Sequence, residues 1–295
     1  MNLPHIAHRF ADIDGVRVFY RDTEVASATP MLLLHGFPSS SQQFRRLFDG
    51  LGSRFRLIAP DYPGFGYSEA PLPVSRGGVF PYSFDRLASV METFCIRLSI
   101  RDFVLYAFDF GGPVGFRIAS RHPEWIAGLV VQNANAYAEG LSSIACEYIE
   151  IGRTGRRQSA ALDALLTLES TREQYLHGAT IQERISPDGW TLDQHFLDVP
   201  GRKAIQADLA LDYRTNVAAY PSWQDWLRRA QPPLLVLWGR RDPFFLEAGA
   251  KAYLSDVPSG ELHLFETGHF ALEECAPEIV PLLGRFLERV AAGRR

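Results

Sequence analysis

Cysteine is scarce in this 295-residue chain: Cys95, Cys146 and Cys275 are far apart and odd in number. That excludes a disulfide framework and the paired spacings of a structural metal site, and predicts buried free thiols in a reducing compartment. Long apolar runs are missing too. No stretch reaches the roughly 18–20 residues of a membrane helix, and the longest, such as Leu234 to Trp238, are strand-sized. Neither sign of charge dominates. Lys and Arg number 30 against 34 Asp and Glu, a net charge of -4 with no basic stripe. Nucleic acid is therefore not an expected partner. The opening MNLPHIAHRF has no charged region followed by an apolar one, which predicts no secretory signal and a cytoplasmic location. Repeats and low-complexity tracts are also lacking. What is there is an ordinary globular composition, 46% hydrophobic and 22% charged, at a length that suits one large domain or two small ones.

Short apolar runs alternate with amphipathic stretches. Val16 to Arg21, Met31 to His35, Phe55 to Pro60, Phe103 to Phe108 and Leu129 to Gln132 read as strands. Most are unbroken, as strands buried on both faces of a parallel sheet are. Helical patterns fall at Gln43 to Leu51, Phe84 to Leu98 and Pro113 to Arg121. From about Tyr137 to Ser222 no strong strand is visible; Ser159 to Leu168 and Lys203 to Leu211 read as helical, with turn signals at Ser186-Pro187-Asp188-Gly189 and Pro200-Gly201. The βα pattern returns with strands Pro233 to Trp238 and Glu261 to Phe265 and helices Leu246 to Leu254 and Glu278 to Ala291. The predicted class is α/β: a mostly parallel central sheet with helices on both faces, its core at 1–136 and 223–295, carrying an inserted helical lid at 137–222.

The strand Phe103–Phe108 runs into Asp109-Phe110-Gly111-Gly112 and then a helix. Small residues at Ala107, Gly111 and Gly112 suit a sharp strand-to-helix elbow that thrusts one side chain out at the carboxyl end of the sheet. That side chain is Asp109. Alone, it would equally suit a helix N-cap. Two more residues change the weighing. Asp242 follows the strand ending at Trp238, and His269 follows the next strand. In an open α/β sheet the carboxyl ends of the strands line one crevice, so the three converge in the order nucleophile, acid, histidine.

At this point the chain resembles the α/β-hydrolase superfamily over nearly its full length. The matching pieces are HGFPSS (35–40), DYPGFGYS (61–68), AFDFGG (107–112), WGRRDPF (238–244) and TGHFALEE (267–274). Aspartate at the elbow resembles the group that holds soluble epoxide hydrolases and haloalkane dehalogenases. Two residues depart from the usual pattern: Ala107 stands where the elbow has Gly, and Phe110 where both groups show Trp. The resemblance implies an oxyanion hole from the backbone amides of Phe37 and Phe110, a cis Phe37–Pro38 bond, and a structural His35. A carboxylate suits attack on a saturated carbon, because it is ionised at neutral pH without a base. The resulting alkyl ester has a carbonyl that water activated by His269, oriented by Asp242, attacks.

Leaving groups separate the readings. An epoxide oxygen needs a proton donor, whereas a halide needs weak donors that surround a soft anion. Phe37 and Phe110 offer no polar hydrogen where dehalogenases resembling this chain carry Trp or Asn. The lid segments around Tyr213 (LDYRTN, 211–216) and, more weakly, Tyr175 (REQYLH, 172–177) resemble those bearing the ring-opening tyrosines of epoxide hydrolases. Tyr137 and Tyr220 are spare candidates. Phe37, Phe110, Trp190, Phe244, Phe270 and His177 are expected around the pocket, implying a small apolar organic substrate. Epoxide opening to a vicinal diol is the favoured activity, with no cofactor or metal, in a monomer or homodimer without membrane partners. Dehalogenation, another biosynthetic α/β-hydrolase activity and a non-catalytic small-molecule binder stay open as alternatives.

Overall fold

The computed structural model describes residues 3–26, 29–155 and 160–293. Eight strands form one sheet in the order β1-β2-β4-β3-β5-β6-β7-β8. β1 (Ala7–Ile13) and β2 (Val16–Asp22) make a hairpin, and β2 runs antiparallel to β4 (Leu57–Pro60). β3 (Met31–Leu34), β5 (Phe103–Phe108), β6 (Ile126–Gln132), β7 (Leu234–Gly239) and β8 (Glu261–Phe265) extend the sheet parallel to β4. Every residue of β3, β4, β5 and β7 is buried, which is why these strands read as continuous apolar runs.

Successive side chains of a strand point to opposite faces. Leu32 and Leu34 thus join the cluster of α2 (Phe84–Arg97) and α3 (Gly111–Arg121), while Met31 and Leu33 join that of α1 (Arg45–Leu51) and α11 (Ala271–Ala292). The two-faced arrangement is the one expected from the sequence. Between β6 and β7 lies an inserted helical cap: α4 (Ser143–Thr154), α5 (Ala160–Leu165), α6 (Leu168–Leu176), α7 (Pro187–Leu197), α8 (Arg202–Asp212) and α9 (Arg214–Ala230). α9 continues through position 222 into the approach to β7. α10 (Glu247–Asp256) joins β7 to β8. Among the described residues no helix is long and apolar enough to cross a membrane.

Five local readings change. β1 is an addition: Asp14 (φ 53°) and Gly15 (φ 80°) form the two-residue turn that folds it onto β2, and its outer position leaves most of it in contact with solvent. Ser186-Pro187-Asp188-Gly189 is the start of α7 rather than a turn between elements. The Ser186 hydroxyl accepts from the Asp188 amide, and Pro187 takes the first helical position, where no donor is needed. The last helix begins at Ala271, not Glu278, because two helical segments join across a kink at Cys275, two residues before Pro277. Of the cysteines, Cys95 is buried, Cys275 is partly buried and Cys146 is exposed on α4. The expected helix at 159–168 divides into α5 and the start of α6, and Ser159 lies outside the described residues.

Candidate active site

Asp109 sits between β5 and α3 with φ at 47°, a left-handed conformation that a residue other than glycine adopts at a cost. The turn closes only because its neighbours are small. A Cβ on Gly111 would lie 2.1 Å from the Leu34 carbonyl oxygen, and one on Gly36 would lie 2.3 Å from Asp109 Cβ. The elbow's strain thus fixes the carboxyl group against the 35–40 loop.

The Phe37 amide donates to Asp109 Oδ1 at 2.7 Å, and the Phe110 amide also donates to this carboxylate. These are the two amides expected to form an oxyanion hole, and the Phe37–Pro38 peptide is cis. His269 Nε2 is 3.7 Å from Asp109 Oδ2, and its Nδ1 is 2.7 Å from Asp242 Oδ2. The three side chains are almost wholly enclosed. Burial raises the Asp109 pKa above the ordinary carboxylate value, opposed by His269 and the two amides. Burial alone would lower His269, but the charge and hydrogen bond of Asp242, with the charge of Asp109, outweigh it and leave its pKa above 6.5.

Asp242 is itself held. Its Oδ1 accepts from the amides of Phe244 at 2.7 Å and Phe245 at 3.2 Å, and its Oδ2 accepts from Asn133 Nδ2 at 2.8 Å. Asn133 was absent from the sequence reading. It follows β6 at φ 41° and also accepts from the Gly239 amide at 2.9 Å, tying the ends of β6 and β7 together beneath the acid. Its signal was its place after a buried strand, beside the crevice. His35 is buried between the Gly36 carbonyl, 3.0 Å from Nδ1, and the Tyr62 amide, which donates to Nε2 at 3.2 Å. Burial lowers its pKa to about 4, so it is a neutral structural residue, as expected.

A small cavity of about 80 Å³ opens over Asp109 and His269. Phe37, Phe110 and Phe244 line it, as the sequence predicted, together with Ala145, Tyr148, Ile149, Gln174 and Tyr213 from the cap. Tyr213 is pinned by its neighbours. Asp212 Oδ2 accepts from the Phe84 amide at 2.8 Å, and Arg117 donates to Asn216 Oδ1 at 2.7 Å and Thr215 Oγ1 at 3.1 Å. The segment 212–216 is thereby fastened to α2 and α3, with the Tyr213 ring against Phe84 and Phe110. Its hydroxyl bonds to that of Tyr220, which accepts from Asn135 at 3.2 Å.

Other predicted residues lie elsewhere. The Tyr175 hydroxyl donates to buried Asp193, and its ring stacks on Phe270 with centroids 3.9 Å apart. Neither Tyr175 nor Phe270 lines the cavity. Trp190 packs on Tyr175, and the His177 side chain is exposed. The helical turn explains the shift: adjacent residues of α6 point about 100° apart, so only one of Gln174 and Tyr175 faces inward.

The elbow, the amides and the acid–histidine pair at the sheet's carboxyl edge meet a family match: the alpha/beta hydrolase fold family covers residues 29–276. The chain belongs to that family. Within this enzyme family, the α/β-hydrolase is 40% identical over 271 residues to the Saccharomyces cerevisiae protein called Uncharacterized hydrolase YNR064C, a match covering 90% of this chain and 91% of the relative. It is 26% identical to the haloalkane dehalogenase of Mycobacterium marinum, over 91% of this chain and 88% of that one. The solved epoxide hydrolase CorEH has the same fold, with a TM-score of 0.74 at 19% identity, covering 97% of this chain and 100% of that one. Its sequence is thus similar to that of a haloalkane dehalogenase, and its fold is shared with a solved epoxide hydrolase.

Proposed function

We propose that the protein hydrolyses a small apolar electrophile through an alkyl ester on Asp109, and that the electrophile is an epoxide. The carrying observation is a cavity-lining carboxylate at the elbow that accepts from two backbone amides, that of Phe37 on Oδ1, while Oδ2 faces His269. Oδ2 attacks a ring carbon in line, the C–O bond breaks, and the electron pair stays on oxygen. Tyr213 gives that oxygen its proton. Water then adds to the ester carbonyl as His269 takes its proton and returns it to the departing alcohol. The carboxyl group so formed ionises, and its proton restores Tyr213. Water's oxygen and two hydrogens end, net, in the enzyme carboxylate and the diol.

The epoxide reading draws support from Tyr213, a phenol fixed on the cavity wall near Asp109. Tyr213→Phe keeps the ring packing and deletes the hydroxyl. Loss of an oxyanion donor costs on the order of 10²–10³ in rate, so epoxide opening should slow by that factor, and reaction of an alkyl bromide far less. Epoxide opening within a few-fold of wild type, measured by rapid quench, would remove Tyr213 from the step.

A second reading, dehalogenation, is favoured by the Mycobacterium marinum relative. The two differ in product. Styrene oxide and aliphatic epoxides are assayed beside bromo- and chloroalkanes, following diol and halide. Diol without halide supports epoxide hydrolysis, and halide release at comparable or higher rates supports the second reading. Neither product from any member of the panel rejects both.

A further inference from the structure

We propose that Gln174 is the hydrogen-bond donor that holds the polar end of the substrate, the leaving oxygen or halide, opposite Asp109. The inference rests on the Asp109 ester reading and gives the leaving atom a second donor beside Tyr213. Gln174 lies on α6, is 4% exposed and lines the cavity with Asp109, Phe110, Tyr213 and His269. Its amide nitrogen has no hydrogen-bond partner among the described residues. A buried amide hydrogen without an acceptor is costly, and on a side chain that lines a substrate cavity a small turn of the amide brings it to an arriving polar atom.

Gln174 shares the cavity wall with two cap phenols, Tyr148 and Tyr213. Most of the cavity wall is aromatic or aliphatic carbon. The Tyr213 hydroxyl, bonded to Tyr220, is the proton donor of the step, His269 Nε2 faces Asp109, and Tyr175, one residue along the helix, is committed to Asp193. Phe37 and Phe110 present amides only to the nucleophile. Gln174 therefore occupies the inward position of the helix on which Tyr175 was expected to act.

The chemistry of a carboxamide sets its part in the step. It donates a hydrogen bond but does not surrender its proton at neutral pH. It stabilises charge that builds on the leaving atom as the carbon–heteroatom bond breaks, and leaves any proton transfer to Tyr213. It would serve a halide, which departs unprotonated, as readily as an alkoxide. Gln174 thus acts on ester formation and not on ester hydrolysis, where the charge develops on Asp109 and its two amides.

The test separates the half-reactions. In a His269→Gln background, mass spectrometry follows growth of the Asp109 adduct with styrene oxide and with 1-bromobutane, with and without Gln174→Leu. With His269 intact, rapid quench follows decay of the adduct. Gln174→Leu should slow adduct formation by on the order of 10²-fold and leave decay within threefold. Gln174→Met serves if the leucine variant does not fold. Separately, the Gln174 side-chain amide resonance, assigned by its loss in the variant, should shift when bromide or 1-phenyl-1,2-ethanediol is added to the otherwise native protein. Adduct formation within threefold of the parent overturns the proposal. If neither compound labels Asp109, the ester reading fails, and the resonance alone decides Gln174: a shift keeps it as the cavity's polar contact, and a fixed resonance overturns it.

Discussion

A single turnover in heavy-oxygen water should release an unlabelled product and leave the label in the Asp109 carboxylate. The geometry carries this expectation. Oδ1 accepts from the Phe37 amide, the Phe110 amide also donates to this carboxylate, and Oδ2 is the oxygen beside His269. The oxygen that bonds to the substrate carbon is therefore the enzyme's own. When water attacks the ester, it adds to the carboxyl carbon, and the tetrahedral oxyanion forms on Oδ1, to which the Phe37 amide already donates. Collapse sends the old Oδ2 away with the product and keeps the water oxygen on Asp109. Asp109→Ala removes the nucleophile and should lower kcat by on the order of 10⁴–10⁶, although His269 and Asp242 stay in place. Digestion and mass spectrometry of the elbow peptide locate the label. Label in the first-turnover product would mean that water attacks the substrate directly, and the aspartate would then be only a charge beside the path.

The parts of the site that were legible in the sequence are those set by short-range constraints. An elbow needs small residues close to its apex, so Asp109 stands out from Ala107, Gly111 and Gly112 once Asp242 and His269 are weighed beside it. Asp242 follows β7, whose unbroken apolar run announces burial on both faces, His269 follows the half-buried strand β8 beside it, and sheet topology does the rest. Cap residues were legible only where a segment anchors itself. Tyr213 lies between Asp212, Thr215 and Asn216, whose side chains fasten it to the core. Tyr175 and Gln174 were indistinguishable without the rotation of α6, because both sit in a polar helix with no apolar stripe to orient it. β1 was missed for a related reason: an outer strand that faces solvent loses the apolar pattern, and only the Asp14-Gly15 turn marks it. Asn133 acts through Asp242 across 109 positions of sequence, a distance over which no local pattern speaks.

His269→Gln should stop the cycle halfway, with the substrate fixed on Asp109. Ester formation uses an ionised carboxylate and no base, so it should stay within about tenfold of wild type. Ester hydrolysis uses a water that must lose a proton, and removing a general base commonly costs on the order of 10²–10⁴. Intact-protein mass spectrometry should then show one substrate mass added per chain. The electrostatics give the same intermediate a pH signature. In the resting enzyme the carboxylates of Asp242 and Asp109 hold the His269 pKa above its ordinary 6.5 against burial. Esterification removes the Asp109 charge, so His269 loses one of the two carboxylates that favour its protonated form. Its pKa falls, and the neutral imidazole needed to take water's proton becomes available as the ester forms. Hydrolysis should therefore weaken as pH drops through the ester-state histidine pKa. Ester formation should persist until Asp109 itself protonates. Acid-quenched wild type should accumulate the adduct on the acidic side of that histidine pKa and lose it on the alkaline side. The His269→Gln variant should carry the adduct at both. Undiminished turnover by that variant, or an adduct whose level in wild type ignores pH, would take His269 out of the second step.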